Sequence, residues 1–136
     1  MRRWGLAAVA FGGCLWAAAA LGAGSWVASA PAVTVAMAGR SVSSAELAPP
    51  APELARGQRI GRVSWQYRAP SGVAVEAWLC HGGQCVELPG PRGWTEALAG
   101  RAAEMPLHFR FALGERRQRP VTLQGLRVIV NHDGQG

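Results

Sequence analysis

An all-β fold, a small antiparallel β-sandwich of about seven or eight strands, is what this sequence predicts. Three observations carry the prediction. Val63-Ser64-Trp65-Gln66-Tyr67 and Leu107-His108-Phe109-Arg110-Phe111-Ala112-Leu113 alternate large apolar residues with smaller or polar ones, the period of a half-buried strand. Turn residues separate such segments at short intervals, and beyond the first two dozen residues there is no convincing helix. Finally, Cys80-His81-Gly82-Gly83-Gln84-Cys85 places two cysteines around a Gly-containing loop between strand-like runs, a hairpin signal. Opposed residues of an antiparallel pair have Cα atoms about 4.5–5.5 Å apart, within reach of a disulfide, so Cys80–Cys85 reads as a cross-strand clamp. Two packed sheets are the simplest way to bury these faces, and a closed small barrel is the alternative.

Residues 1–23 read as a cleaved secretory signal peptide rather than as part of the domain. Arg2 and Arg3 precede an apolar run from Trp4 to Leu21, which ends in small residues around Gly22 and Ala23. A retained anchor is the competing reading, since the run approaches spanning length. Cys14 raises a lipoprotein reading, but Phe11-Gly12-Gly13 is a poor lipobox and the apolar run continues past the cysteine. Loss of the signal leaves two cysteines, an even count suited to an oxidising compartment. It also leaves no membrane span, and the expected location is an exported, oxidising compartment.

Residues 24–136 form the single expected domain. The formal charge of +6 falls to +4 once Arg2 and Arg3 are gone, and every basic residue is Arg. That excess is too small to name a partner, and nucleic acid is not expected in an exported domain.

In chain order, Val33, Val35 and Met37 alternate with Thr34 and Ala36 as the first strand, after which Gly39-Arg40 turns the chain and Ser41–Ser44 pairs briefly. Residues 48–58 carry three prolines within four residues, which disfavours both helix and central strand and predicts an exposed loop of polyproline II character. Ile60–Arg68 is a strand with Val63, Trp65 and Tyr67 on one face. Pro70-Ser71-Gly72 turns into Val73–Cys80, so Ile60–Cys80 reads as a hairpin.

Face arithmetic then sets the register of the next hairpin. If Cys80 opposes Cys85, Leu79 opposes Val86, Trp78 opposes Glu87 and Ala77 opposes Leu88. The apolar pairs then share a buried face, and the disulfide lies on the other face beside Trp78. Pro89–Gly93 breaks the hairpin. Trp94–Ala103 is ambiguous between a short strand and a helical turn, and its neighbours favour strand. Leu107–Leu113 is a strand. Arg116-Arg117-Gln118-Arg119 is a solvated turn, and Val121–Gln124 and Leu126–Val130 are strands separated by a bulge or bend at Gly125. Asn131 onward is a polar tail, flexible over 132–136. The expected core comprises Val35, Val63, Trp65, Tyr67, Val75, Leu79, Val86, Leu107, Phe109, Phe111, Val128 and Val130.

No catalytic constellation emerges, so an enzyme is not expected. The three histidines are scattered, at a hairpin tip (His81), on the polar side of a strand (His108) and in the tail (His132), which makes no zinc site. Cys80-x4-Cys85 lacks the CxxC redox spacing, serines lack a GxSxG context, and nucleotide-binding glycine motifs are absent. No cofactor is expected. Partner contacts are expected instead, at Trp78, His81 and Gln84 around the hairpin. The alternative is a carbohydrate or peptidoglycan module using Trp78 or Trp94, and a weaker one is an enzyme inhibitor that inserts the hairpin loop.

Several of these pieces, in order, resemble the flagellar protein FlhE family across essentially the whole exported chain. They are Gly24-Ser25-Trp26, Gly39-Arg40-Ser41-Val42-Ser43-Ser44, Trp65-Gln66-Tyr67, Pro70-Ser71-Gly72 and Leu79-Cys80 with Cys85-Val86-Glu87-Leu88. Leu107-His108-Phe109-Arg110-Phe111 and the terminal Val128-Ile129-Val130-Asn131 complete them. The Ala- and Pro-enriched 45–55 loop and the Gly-rich end depart from the family pattern. The resemblance implies a β-sandwich and a periplasmic, non-enzymatic accessory of the flagellum. Its implied roles are control of proton leakage through the export apparatus and chaperone-like protection against flagella assembling in the periplasm. The implied partner is a basal-body, rod or export-gate protein. No catalytic residues transfer with it.

Overall fold

In a computed structural model, described here for residues 23–134, two antiparallel sheets pack face to face. Residues 1–22 of the expected signal peptide, Cys14 among them, lie outside the described residues, and Ala23 opens the first strand. The elements are β1 (Ala23–Ala30), β2 (Val33–Val35), β3 (Val42–Ser43), α1 (Pro52–Ala55), β4 (Arg59–Arg68), β5 (Val75–His81), β6 (Gln84–Leu88), β7 (Arg92–Thr95), β8 (Leu107–Leu113) and β9 (Val121–Asp133). One sheet runs β1-β9-β4-β7, with β2 also paired to β9; the other runs β3-β8-β5-β6. The sandwich is therefore the outcome.

The core lies between the sheets and draws on the alternating faces. Val63, Trp65, Tyr67, Leu126, Val128 and Val130 from the first sheet meet Ala77, Leu79, Leu107, Phe109 and Phe111 from the second, all buried. Tyr67 bridges the layers, its ring edge-on to Phe111 at 5.2 Å and to Phe109 at 6.2 Å between centroids. Val75 and Val86 are only half-buried at the margin. The predicted register of β5 against β6 holds at every pair, from Ala77–Leu88 to Cys80–Cys85. The predicted break at Gly125 is a bulge, with φ +64° at Gly125 and a shift in the β4–β9 register between Gln66 and Arg68.

Five expectations are corrected. Ile60–Cys80 is not a hairpin: β4 pairs with β9 and β7, whereas β5 lies in the other sheet against β8 and β6. Alternation defines a strand's buried face but says nothing about its neighbours, and the long β9 and β8 take the places a local hairpin would have used. The strand expected over 94–103 begins earlier and stops at Thr95; turns follow, among them Ala99 N–H to Glu96 O at 3.0 Å, and they bury Leu98.

The proline-rich segment contains a one-turn helix, α1, because Pro52 occupies the first turn, where its missing N–H has no helical partner to lose. Ala55, its last residue, and Pro49 are buried. Met37, expected inward with Val33 and Val35, is 59% exposed, because the strand ends at Val35. Lastly, β9 continues through Asp133 and buries His132 where a polar tail was expected.

Candidate functional site

The Cys80–Cys85 hairpin is the first candidate. The two cysteines are directly opposed and joined by a disulfide, S–S 2.04 Å, and Cys80 is fully buried. Cys80 shares its face with Trp78, whereas Ala77 and Leu79 alternate into the core, so the bridge lies on the outer face of its sheet. Trp78 is half-buried beneath Arg110, its neighbour on β8, whose guanidinium carbon lies 4.6 Å from the indole centroid.

His81 was expected at an accessible hairpin tip and is instead 5% exposed, with Nε2 2.9 Å from the Ala102 carbonyl oxygen. The reason is parity: His81 shares the inward face of Ala77 and Leu79. Gln84 is exposed, and its Oε1 accepts a hydrogen bond of 2.8 Å from Arg101 Nη2. The hairpin end is thereby tied to the 99–105 turns, with Gln84 and part of Trp78 facing out.

A second candidate comes from the outer face of the sheet β1-β9-β4-β7. Val27 opposes Ile129, Ile129 opposes Ser64, and Ser64 opposes Trp94, so these four form one row across four strands. Two residues along each strand, Ser29, Arg127, Gln66 and Arg92 form a parallel row. Side chains two apart on a strand share a face and sit about 7 Å apart, so an apolar row runs beside one carrying two arginines.

Trp94 is 56% exposed, and the Arg62 guanidinium carbon stands 3.9 Å from its ring centroid while Arg62 also reaches Glu96 at 3.7 Å. A groove of about 250 Å³ opens between Trp94, Gln66, Arg92, Arg127 and Ile129. At the other end Val27 lines a second groove of about 330 Å³ with Leu54, Trp26 and His132. Val27, Leu54 and Trp94 are three of the five large exposed apolar side chains among the described residues. Sequence reading singled out Trp94 alone in this row. Positions 27, 64, 94 and 129 are too far apart in the chain for any local pattern to join them.

Titratable groups are few at either place. Burial lowers the His132 pKa, nearby Asp133 opposes that effect, and the ring nitrogen Nδ1 is hydrogen-bonded to Gln58 Oε1. Burial also raises the Tyr67 pKa. Among the described residues no three His, Cys, Asp or Glu side chains gather as metal ligands, and no helix is long and apolar enough to cross a membrane. What both surfaces offer is contact chemistry: aromatic faces, guanidinium donors and apolar grooves.

The chain is similar in sequence and fold to flagellar proteins. The family model described as flagellar protein FlhE matches residues 32–133. Flagellar protein FlhE of Escherichia coli (strain K12) is 40% identical over 119 residues, 83% of this chain and 88% of that protein. Its counterpart in Yersinia enterocolitica is 34% identical over 119 residues, 83% of this chain and 84% of that protein. A crystal structure of FlhE superposes with a TM-score of 0.73 at 29% identity, covering 82% of this chain and 97% of the other.

Proposed function

The chain belongs to the flagellar protein FlhE family, and from that premise we propose that it is a non-enzymatic accessory protein of the bacterial flagellum acting in the periplasm. It works by binding a basal-body, rod or export-gate component. Through that contact it restrains proton leakage through the export apparatus, or keeps rod components from assembling prematurely in the periplasm. The observation that carries this reading is a sandwich whose outer face exposes Trp94 and Val27 beside arginines, a surface suited to contact. The paired cysteines and the apolar N-terminal run support an exported, oxidising location.

Deletion of the gene in a flagellated host, with motility, flagellar placement and periplasmic pH response scored, tests the role; a pull-down from periplasm tests the contact. Flagella misplaced in the periplasm, or a proton leak, are the expected defects. Normal motility and placement together with no flagellar component recovered would sink the proposal. A second reading, a peptidoglycan-binding module, is favoured by the exposed indole of Trp94 beside Ser64 and Gln66. Titrating wall glycan against tryptophan fluorescence separates the two.

A further inference from the structure

The groove on the outer face of the β1-β9-β4-β7 sheet and the groove at its β1 edge are not independent. Val27 lines one, Ile129 lines the other, and the two residues are direct partners across β1 and β9. A track of Val27, Ile129, Ser64 and Trp94 therefore runs across the four strands, apolar except at Ser64. The interval from Val27 to Trp94 crosses three inter-strand spacings, about 14 Å.

Charge runs alongside it. Arg92 and Arg127 are exposed in the adjoining row, two strands apart, with no carboxylate in that row. Glu96 is engaged by Arg62, Glu53 sits beside Leu54 at the opposite end, and Asp133 lies further along β9. The Trp94 end is thus cationic. Trp94 is held in place there by the Arg62 guanidinium stacked on its ring, so it is a pre-ordered anchor rather than a loose side chain.

We propose that this track docks an acidic amphipathic helix of a flagellar partner, its apolar stripe on Val27, Ile129 and Trp94 and its carboxylates on Arg92 and Arg127. The proposal rests on the flagellar reading above and names the surface and the partner chemistry. Geometry selects a helix. An extended segment laid across the strands points alternate side chains directly down and directly away, so none reaches a second row about 7 Å to the side. A helix presents an apolar stripe with carboxylates on its flank at i±3 and i±4, and 14 Å corresponds to about nine residues at 1.5 Å each. Charge complementarity selects the acidic kind.

The test uses the exported full-length chain and purified hook–basal-body particles as the probe. Cosedimentation is compared for the unmodified chain, Trp94→Ala and the double variant Arg92→Glu/Arg127→Glu, after thermal unfolding has shown that each is folded. Ile129→Ser is held in reserve for any variant that is not. The expected result is binding that weakens with salt and falls about tenfold in either variant, the scale of a single hot-spot loss. Binding by the unmodified chain that the variants retain overturns the docking surface and leaves the flagellar role standing. No binding by the unmodified chain overturns the docking proposal, and the deletion phenotypes above decide the flagellar role separately. A photo-crosslinker at Ile129 identifies the occupant. A peptide with Asp or Glu flanking apolar residues at helical spacing supports the proposal; a glycan adduct or a second copy of this chain overturns it.

Discussion

Trp65 and Gly93 stand directly opposite each other on β4 and β7, and the indole of Trp65 fills the space that a side chain at Gly93 would occupy. A Cβ built at Gly93 meets Trp65 ring carbons at 2.8 and 2.9 Å. The same indole donates Nε1–H to the Gly90 carbonyl at 2.9 Å, so it binds the approach to β7 as well as its middle. Close packing of β7 on Trp65 is what aims the neighbouring Arg92 and Trp94 outward.

Gly93→Ala is therefore expected to lift β7 away from β4. The ring is buried and cannot move aside, so the cost should be about 1–3 kcal/mol, the range for overpacking. Urea unfolding measures it. Hydrogen exchange should show lost protection confined to residues 92–95 and their β4 partners. An unchanged midpoint would mean that the ring can yield.

Replacing both Cys80 and Cys85 by Ala should lower stability by roughly 2 kcal/mol, since the closed loop is short and the chain-entropy gain of a bridge grows with loop length. The fold should persist, because the β5–β8 pairing does not depend on the bridge. Chemical denaturation of the variant against the oxidised chain checks the magnitude, and a circular dichroism spectrum checks the fold.

Acidification should weaken the sandwich through His132. Burial holds its pKa below the ordinary 6.5, so the unfolded chain takes up a proton first as pH falls. Linkage then makes stability fully present above about 6.5 and lost progressively as pH falls toward the lowered folded-state value. Asp133 tempers the effect, since its charge favours the imidazolium. Denaturation midpoints measured from pH 7.5 to 5 should fall, and His132→Gln should flatten that slope.

Trp78 and Arg110 should behave as a coupled pair rather than as two separate surface residues. The guanidinium lies over the indole across β5 and β8, and Trp78 is half-buried, so a double-mutant cycle with alanine should return about 0.5–1 kcal/mol of coupling. Zero coupling would free Trp78 for contact with a partner.

The sequence by itself determined the all-β class, the β5–β6 register, the disulfide and an irregularity at Gly125, because each follows from local quantities. A period of two decides which face is buried, and a one-residue slip in the Cys80–Cys85 hairpin would have turned Leu79 and Val86 outward. The order of Gly24-Ser25-Trp26, the Cys80–Leu88 hairpin and Val128-Ile129-Val130-Asn131 was enough to resemble the family the chain belongs to. Only the tertiary structure decided which strands are neighbours. It separated β4 from β5, brought β9 between β1 and β4, and turned His132 inward. The row from Val27 through Ile129 and Ser64 to Trp94 exists only through those pairings. Strand neighbours are chosen by contacts between segments far apart in the chain, and alternation within one segment carries no record of them.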